Sequence, residues 1–266
     1  MSVCLRPESI TVHGADFDNG PVLFISDLHL CSAQPALTAL FRHFCLREGR
    51  AARAVFILGD LFDYWVHQEQ AAEAPYAEIL ALLHDLQKQG TTVYLMVGNR
   101  DFALDAAFLA QFGIIALPDP ALLQLGDRRI LLTHGDLLCS DDHRYQRFRR
   151  VIRHPLTRLT LGRLPYAWLQ RIARGLRRGS SREVRAKAPA IIDANPQSIA
   201  AALHGEGAFA LDGAPYDILI HGHTHRPVWE RGPAGRRMVL GAWNADGAQI
   251  GRWENGQWSL QLLSPP

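Results

Sequence analysis

Val22-Leu23-Phe24-Ile25-Ser26-Asp27-Leu28-His29-Leu30 is the stretch on which the fold turns. Its first four residues are apolar without alternation, the pattern of a strand buried on both faces. The run then stops on two metal-capable side chains two residues apart. The same layout, an apolar run closed by a ligand-bearing turn, recurs four times. Val55 to Leu58 precedes Gly59-Asp60, Val93 to Val97 precedes Gly98-Asn99-Arg100-Asp101, Ile130 to Leu132 precedes His134-Gly135-Asp136, and Ile218 to Ile220 precedes His221-Gly222-His223. Ligands carried at strand ends converge on one edge of a sheet.

Segments of helical period lie between the runs. Pro35 to Glu48 keeps Leu37, Leu40, Phe41, Phe44 and Cys45 on one face, and Pro75 to Gln89 does so with Ile79, Leu82, Leu83 and Leu86. Alternating strands and helices predict an α/β architecture with a covered sheet. After residue 227 the texture changes to short strands, Met238 to Trp243, Gln249 to Trp253 and Gln257 to Leu262, separated by Asn244-Ala245-Asp246-Gly247 and Glu254-Asn255-Gly256. These predict an antiparallel edge or a second sheet. Trp229, Trp243, Trp253 and Trp258 are expected to pack within those strands rather than bind a ligand. At 266 residues, 48% hydrophobic and 20% charged, without repeats, the chain is long enough for one α/β domain carrying an insertion.

The formal charge of +2 conceals an asymmetry. Of the 28 Lys and Arg, 14 fall between Arg144 and Lys187, where Glu183 is the sole acid. Those arginines are interleaved with Val151, Ile152, Leu156, Leu159, Leu161, Leu164, Tyr166, Trp168, Leu169, Ile172 and Leu176, and Pro155, Pro165 and Gly175 divide the stretch into short amphipathic helices. Such a segment suits an anionic lipid surface, or an acyl-chain pocket capped by phosphate-binding arginines. The interleaved residues are mostly aliphatic rather than stacking aromatics, which argues against nucleic acid as a partner. Cys4, Cys31, Cys45 and Cys139 show neither zinc pairing nor a disulfide framework, and no secretory signal or membrane-spanning run is present, so a reducing cytoplasm is expected.

The candidate metal ligands are Asp27, His29, Asp60, Asn99, His134, His221 and His223. A carboxylate such as Asp60 can bridge two cations, Asn99 offers a neutral oxygen, and the set contains no thiolate, which points to Mn, Fe, Co or Zn. Two cations about 3.5–4 Å apart activate water and neutralise a phosphoryl group. The chemistry indicated is hydrolysis of a phosphoester or phosphoanhydride.

In order and in neighbours the five segments resemble the motifs of the calcineurin-like metallophosphoesterases, D-x-H, G-D, G-N-H, a later His, and G-H-x-H. The resemblance implies a four-layer αββα metallophosphoesterase sandwich with an inserted helical lid. It places Asp27, His29, Asp60 and His223 around one metal and Asp60, Asn99, His134 and His221 around the other. His225 is set behind the ligands, and Asp101 and Asp136 orient neighbouring groups. One departure is informative: where those enzymes place a His after the Asn, as proton donor to an alkoxide, this chain has Arg100. Arginine does not release a proton near neutral pH, but its planar fork pairs with phosphate oxygens, which favours a diphosphate whose leaving group needs little protonation.

The longer strings, Gly98-Asn99-Arg100-Asp101-Phe102 and Cys139-Ser140-Asp141-Asp142 above all, resemble the UDP-2,3-diacylglucosamine diphosphatases of Gram-negative lipid A synthesis, over about residues 21–243. That resemblance implies a lipid-linked UDP-sugar substrate cut to lipid X and UMP by attack on the α-phosphorus. It also implies two divalent metal ions, Mn(II) foremost, a monomer, and peripheral residence on the cytoplasmic face of the inner membrane. Asp60, Asn99, Arg100 and His134 are the expected catalytic residues. Asn99, Arg100, Asp142, Ser180, Lys187 and His221 are the expected substrate contacts, although the Asn that family has between the Ser and the Lys is missing here. The expected division is residues 1–20 as an N-terminal extension, 21–140 and 190–266 as the core, and 141–189 as the basic lid. An alternative, a metallophosphoesterase acting on dinucleoside polyphosphates, would keep the ligands without needing a greasy basic lid. A catalytically dead scaffold would be expected to have lost ligands.

Overall fold

A computed structural model of the chain describes residues 20–161, 163–173, 175 and 193–265. The expected extension, Ser180 and Lys187 lie outside them, apart from Gly20. Four parallel strands, β1 (Val22–Ile25), β2 (Ala54–Leu58), β3 (Thr92–Met96) and β4 (Ile115–Leu117), form the body of one sheet. Its other edge is closed by a hairpin, β10 (Ala248–Glu254) and β11 (Gln257–Leu263), with β10 antiparallel to β1. The second sheet runs in the order β5 (Ala121–Leu125), β6 (Arg128–Thr133), β7 (Ile218–His221), β9 (Arg236–Val239), β8 (Val228–Arg231), with β6, β7 and β9 parallel.

The period of two along each strand builds three apolar layers. Val22, Phe24, Ala54, Phe56, Tyr94 and Met96 face Leu123, Ile130, Leu132, Ile218 and Ile220 of the other sheet. Phe24 stacks on Phe56 at 5.2 Å and Phe56 on Tyr94 at 4.5 Å. The alternate residues Leu23, Ile25, Val55, Ile57, Val93 and Leu95 pack under α1 (Pro35–Phe44), α2 (Tyr76–Lys88) and α3 (Ala106–Ala110). Leu122, Leu131 and Leu219 pack on the outer side of the second sheet, against Leu203 and neighbours of α6 (Pro196–Leu203). The order is helix, sheet, sheet, helix, the αββα sandwich that the motif order implies.

The late strands depart from a simple antiparallel edge. They divide between the sheets, and β9 continues the second sheet in parallel. The tryptophans explain part of the division: Trp229, Trp253 and Trp258 pack against the layer between the sheets, while Trp243 lies against Phe41 and Phe44 on the helical side. Cys31, Cys45 and Cys139 are buried.

Between β6 and α6 the described part of the basic segment comprises α4 (His143–Ile152), α5 (Pro155–Leu161) and a helical stretch at residues 166–173. Phe148, Val151, Leu156, Trp168 and Ile172 are exposed there. The expectation that its arginines cap a phosphate-binding pocket needs correction at two positions. Arg149 and Arg153 turn inward to the buried Asp119 and Asp136, because two desolvated carboxylates require cationic partners.

Candidate active site

Parallel strands end at the same edge, so the turns after β1, β2, β3, β6 and β7 meet. The polypeptide there is wound in an unusual way: Asp27 (φ 56°), His29 (φ 51°), Asp60 (φ 55°), His223 (φ 67°) and His225 (φ 56°) all occupy the left-handed region. Non-glycine residues adopt it rarely, and it turns a side chain sharply out of the strand direction. The glycines beside the ligands are required by close approach. A Cβ on Gly98 would sit 2.1 Å from Asp60 Oδ1, and one on Gly222 would sit 1.9 Å from Ser26 Oγ and 2.3 Å from Asp27 Oδ2.

Asp60 stands at the centre. Its Oδ2 lies 3.9 Å from His29 Nδ1 and its Oδ1 lies 3.8 Å from His134 Nε2, so one carboxylate presents an oxygen to each side. On the first side, Asp27 Oδ1 is 3.3 Å from His225 Nε2, which is 3.3 Å from His29 Nε2. On the second, Asn99 Oδ1 lies 2.9 Å from His134 Nε2 and 3.0 Å from His223 Nδ1. Hydrogen bonds aim these groups. Ser26 Oγ and the His223 amide both donate to Asp27 Oδ2, at 2.5 and 2.8 Å, which leaves Oδ1 for the site. His134 Nδ1 meets the Leu58 carbonyl at 2.9 Å, so its Nε2 is the donor atom available to a metal.

This geometry moves the last motif by two residues. His225, expected behind the ligands, stands beside Asp27 and His29, where His223 was expected. His223 takes the place beside Asn99 and His134 expected of His221. His221 is still within β7, its carbonyl accepting the Leu240 amide at 2.8 Å, and its Nδ1 turns back to the Gly222 carbonyl at 2.9 Å. The chain has not yet turned at His221, whereas the left-handed residues 223 and 225 throw their imidazoles back towards the strand ends. His221-Gly222-His223 and His223-Thr224-His225 share a spacing of two, so spacing alone cannot choose between them. A usable signal was present in Gly222: in Gly59-Asp60 and Gly98-Asn99 the glycine also immediately precedes the ligand.

Asp101 and Asp136 do orient their neighbours. Asp101 accepts the amides of Leu61 and Gly98, at 2.8 and 2.7 Å, tying the second and third turns together. Arg100 is held by Asp63 (Nη1 to Oδ1, 2.8 Å) and approaches Asp60 (Nε to Oδ2, 3.5 Å), with its side chain one third exposed. The partnership with Asp63 went unseen in the sequence reading. Asp142, expected to touch substrate, caps α4 by accepting the Tyr145 amide at 3.1 Å.

The electrostatics suit cations. Burial depresses His221 and His223 to about 4, which leaves both imidazoles neutral near pH 7. Burial pushes Asp60 up to about 7, against the attraction of His134. For Asp27, burial acts upward, but His225, His134 and His29 outweigh it and hold the carboxyl well below the usual range. Asp27 Oδ1 and His29 Nδ1 are buried without a hydrogen-bond partner among the described residues. Unsatisfied donor atoms in an oxygen and nitrogen set without thiolate fit a pair of hard or borderline divalent ions. A ligand bound at 100 times its Kd adds about 2.7 kcal/mol to folded-state stability, and a chain of this size gains roughly 2–4 °C per kcal/mol. Stripping Mn(II)-loaded protein with EDTA is therefore expected to lower the melting temperature by about 5–10 °C. A melting curve indifferent to both chelator and added Mn(II) would count against a built site.

The model of the calcineurin-like phosphoesterase family matches residues 20–227. A UDP-2,3-diacylglucosamine hydrolase of Ralstonia nicotianae is 43% identical over 238 residues, covering 87% of this chain and 87% of that protein. Its counterpart in Edwardsiella ictaluri is 40% identical over 249 residues, 92% of this chain and 93% of that one. That of Pseudomonas aeruginosa is 41% identical over 230 residues, 85% and 92% respectively. On a family match spanning most of the chain, and relatives this similar over nearly their full length, the chain belongs to the calcineurin-like phosphoesterases and, within them, to the UDP-2,3-diacylglucosamine hydrolase family.

Proposed function

We propose that this protein hydrolyses the pyrophosphate bond of UDP-2,3-diacylglucosamine, releasing 2,3-diacylglucosamine 1-phosphate (lipid X) and UMP for lipid A synthesis. The observation that carries the chemistry is the pair of donor sets sharing Asp60. The substrate follows from the relatives. In this reading Asp27, His29, Asp60 and His225 hold one divalent ion, and Asp60, Asn99, His134 and His223 hold the other, with Mn(II) as the native metal. Bound there, the ions lower the pKa of coordinated water and neutralise the oxygens of the phosphoryl group under attack.

The chain's own residues do the rest. The guanidinium fork of Arg100, held by Asp63, pairs with two diphosphate oxygens. The leaving group is a sugar phosphate that departs without a protonated partner, so no histidine is needed where Arg100 stands. Asn99, Asp142, Ser180 and Lys187 contribute the remaining substrate contacts, and His223 replaces His221 as the histidine shared by metal and substrate.

No described helix is long and apolar enough to cross a membrane. The exposed Phe148, Val151, Leu156, Trp168 and Ile172, set among arginines, instead equip a monomer to sit peripherally on the anionic cytoplasmic face of the inner membrane and receive a diacylated substrate.

Hydrolysis in oxygen-18 water with Mn(II) tests the reading. Attack on the α-phosphorus puts the label in UMP. Label in the sugar phosphate would refute that position of attack. Turnover of dinucleoside polyphosphates without turnover of the lipid-linked substrate would overturn the substrate assignment.

A further inference from the structure

Helix α4 crosses the second half of the centre without an apolar anchor: none of its ten residues is buried. What docks it is ionic. Tyr145, Arg149 and Arg153, the last just past the helix end, follow at intervals of four and share one face. Arg149 Nε donates to Asp136 Oδ2 at 2.8 Å and its Nη2 to Asp119 Oδ2 at 3.1 Å. Arg153 Nη1 reaches the same Asp119 oxygen at 3.2 Å, and Tyr145 Oη donates to Asp136 Oδ2 at 2.7 Å. The two carboxylates are 2% and 0% exposed, and two guanidinium groups balance them.

The partners of this cluster lead to one half of the site. Asp119 Oδ1 accepts from Thr133 Oγ1 at 2.7 Å and from the His134 amide at 3.2 Å. Arg153 Nη2 donates to the carbonyls of Gly98, at 3.1 Å, and Val97, at 3.4 Å, the two residues before Asn99. Arg153 thus holds the backbone leading into Asn99 directly and the backbone of His134 through Asp119. Those two side chains are the pair that meet at 2.9 Å. Among the described residues, the hydrogen bonds of Arg149 and Arg153 fall on this side, and none reaches Asp27, His29 or His225.

We infer that Arg153, supported by Arg149, is a positioning residue that registers the root of the lid against Asn99 and His134, so that the second donor set is complete only when α4 is docked. The inference rests on the two-cation reading of the site. Outer-shell partners of metal ligands typically change affinity by about 10–100-fold, and a planar fork bonding two carbonyls and a carboxylate has no equivalent in lysine.

The test is Mn(II) binding to the full chain, counted by electron paramagnetic resonance, together with turnover of the lipid-linked substrate and of bis(p-nitrophenyl) phosphate, a diester too short to need the lid. In Arg153→Met the first equivalent is expected to bind as in the parent, the second about 10–100-fold more weakly, and kcat to fall on both substrates with little change in KM. Arg153→Lys, which keeps the charge opposite Asp119 but lacks the fork, is expected to fall between the two. Arg153→Met/Asp119→Asn removes the buried charge left behind and serves as the folding control: its melting temperature recovers while the second equivalent stays weak. Two equivalents bound by Arg153→Met with parental affinity, or a loss confined to the lipid substrate, would overturn the inference alone. Fewer than two equivalents in the parent would overturn the two-cation reading and this inference with it.

Discussion

Asp60→Ala is expected to abolish turnover and the tight binding of both Mn(II) equivalents. Asp60 presents one oxygen to each donor set, 3.8 Å from His134 Nε2 and 3.9 Å from His29 Nδ1, so one substitution removes a ligand from both ions. If each ion contributes even ~2–3 kcal/mol of transition-state stabilisation, a conservative share of the several kcal/mol assigned to metal catalysis, the combined loss is about 10³–10⁴ in kcat at 1.36 kcal/mol per decade. The metal-free fold should respond in the opposite direction. Burial raises the Asp60 carboxyl to about 7, above its unfolded value, so ionising it costs the folded state stability, and that cost grows from about pH 4 until it is complete above pH 7. Asp60→Asn, which keeps the shape and an oxygen to accept the Arg100 amide, is then expected to melt at least as high as the parent in EDTA at pH 8 while remaining inactive. A fully active Asp60→Ala enzyme would sink the dinuclear reading.

Exchanging the two outer histidines of the last motif distinguishes the two possible registers. His225→Ala should lose one Mn(II) equivalent and about 10²–10³ in kcat, the scale of losing one preorganised charge-stabilising group. Because His225 is 41% exposed, its removal should leave the melting temperature of the metal-free protein nearly unchanged. His221→Ala should show the reverse. That residue is fully buried at the end of β7, so its truncation opens a cavity and lowers stability by about 1–3 kcal/mol, while both ions remain bound. If His221→Ala loses a metal equivalent and His225→Ala does not, the register drawn from the sequence is right and the one drawn from the structure is wrong.

Much of the architecture was legible from local pattern. Apolar runs such as Val22 to Ile25 and Val55 to Leu58 fit strands covered on both sides, and their residues are found in the layers on the two faces of the first sheet. The end of each run located its ligand turn, because parallel strands deliver their C-terminal ends to one edge. Other features lay outside any local window. The pairing of β9 in parallel with β7, and of β10 with β1, joins residues that no local window contains. The inward turn of Arg149 and Arg153 depends on Asp119 and Asp136, up to 34 residues away. A charge count over the basic segment sees only their sign.

By itself, then, the sequence determined the layered α/β fold, the sheet edge at which the ligand turns meet and the order of those turns. Periodicity and glycine placement are short-range properties that survive in a string of letters. Only the tertiary structure brought His223 beside Asn99 and His225 beside Asp27, and turned Arg153 to the Gly98 carbonyl next to Asn99. The direction of an imidazole or a guanidinium is set by the backbone turn beneath it and by partners brought close only when distant strands and helix α4 come together.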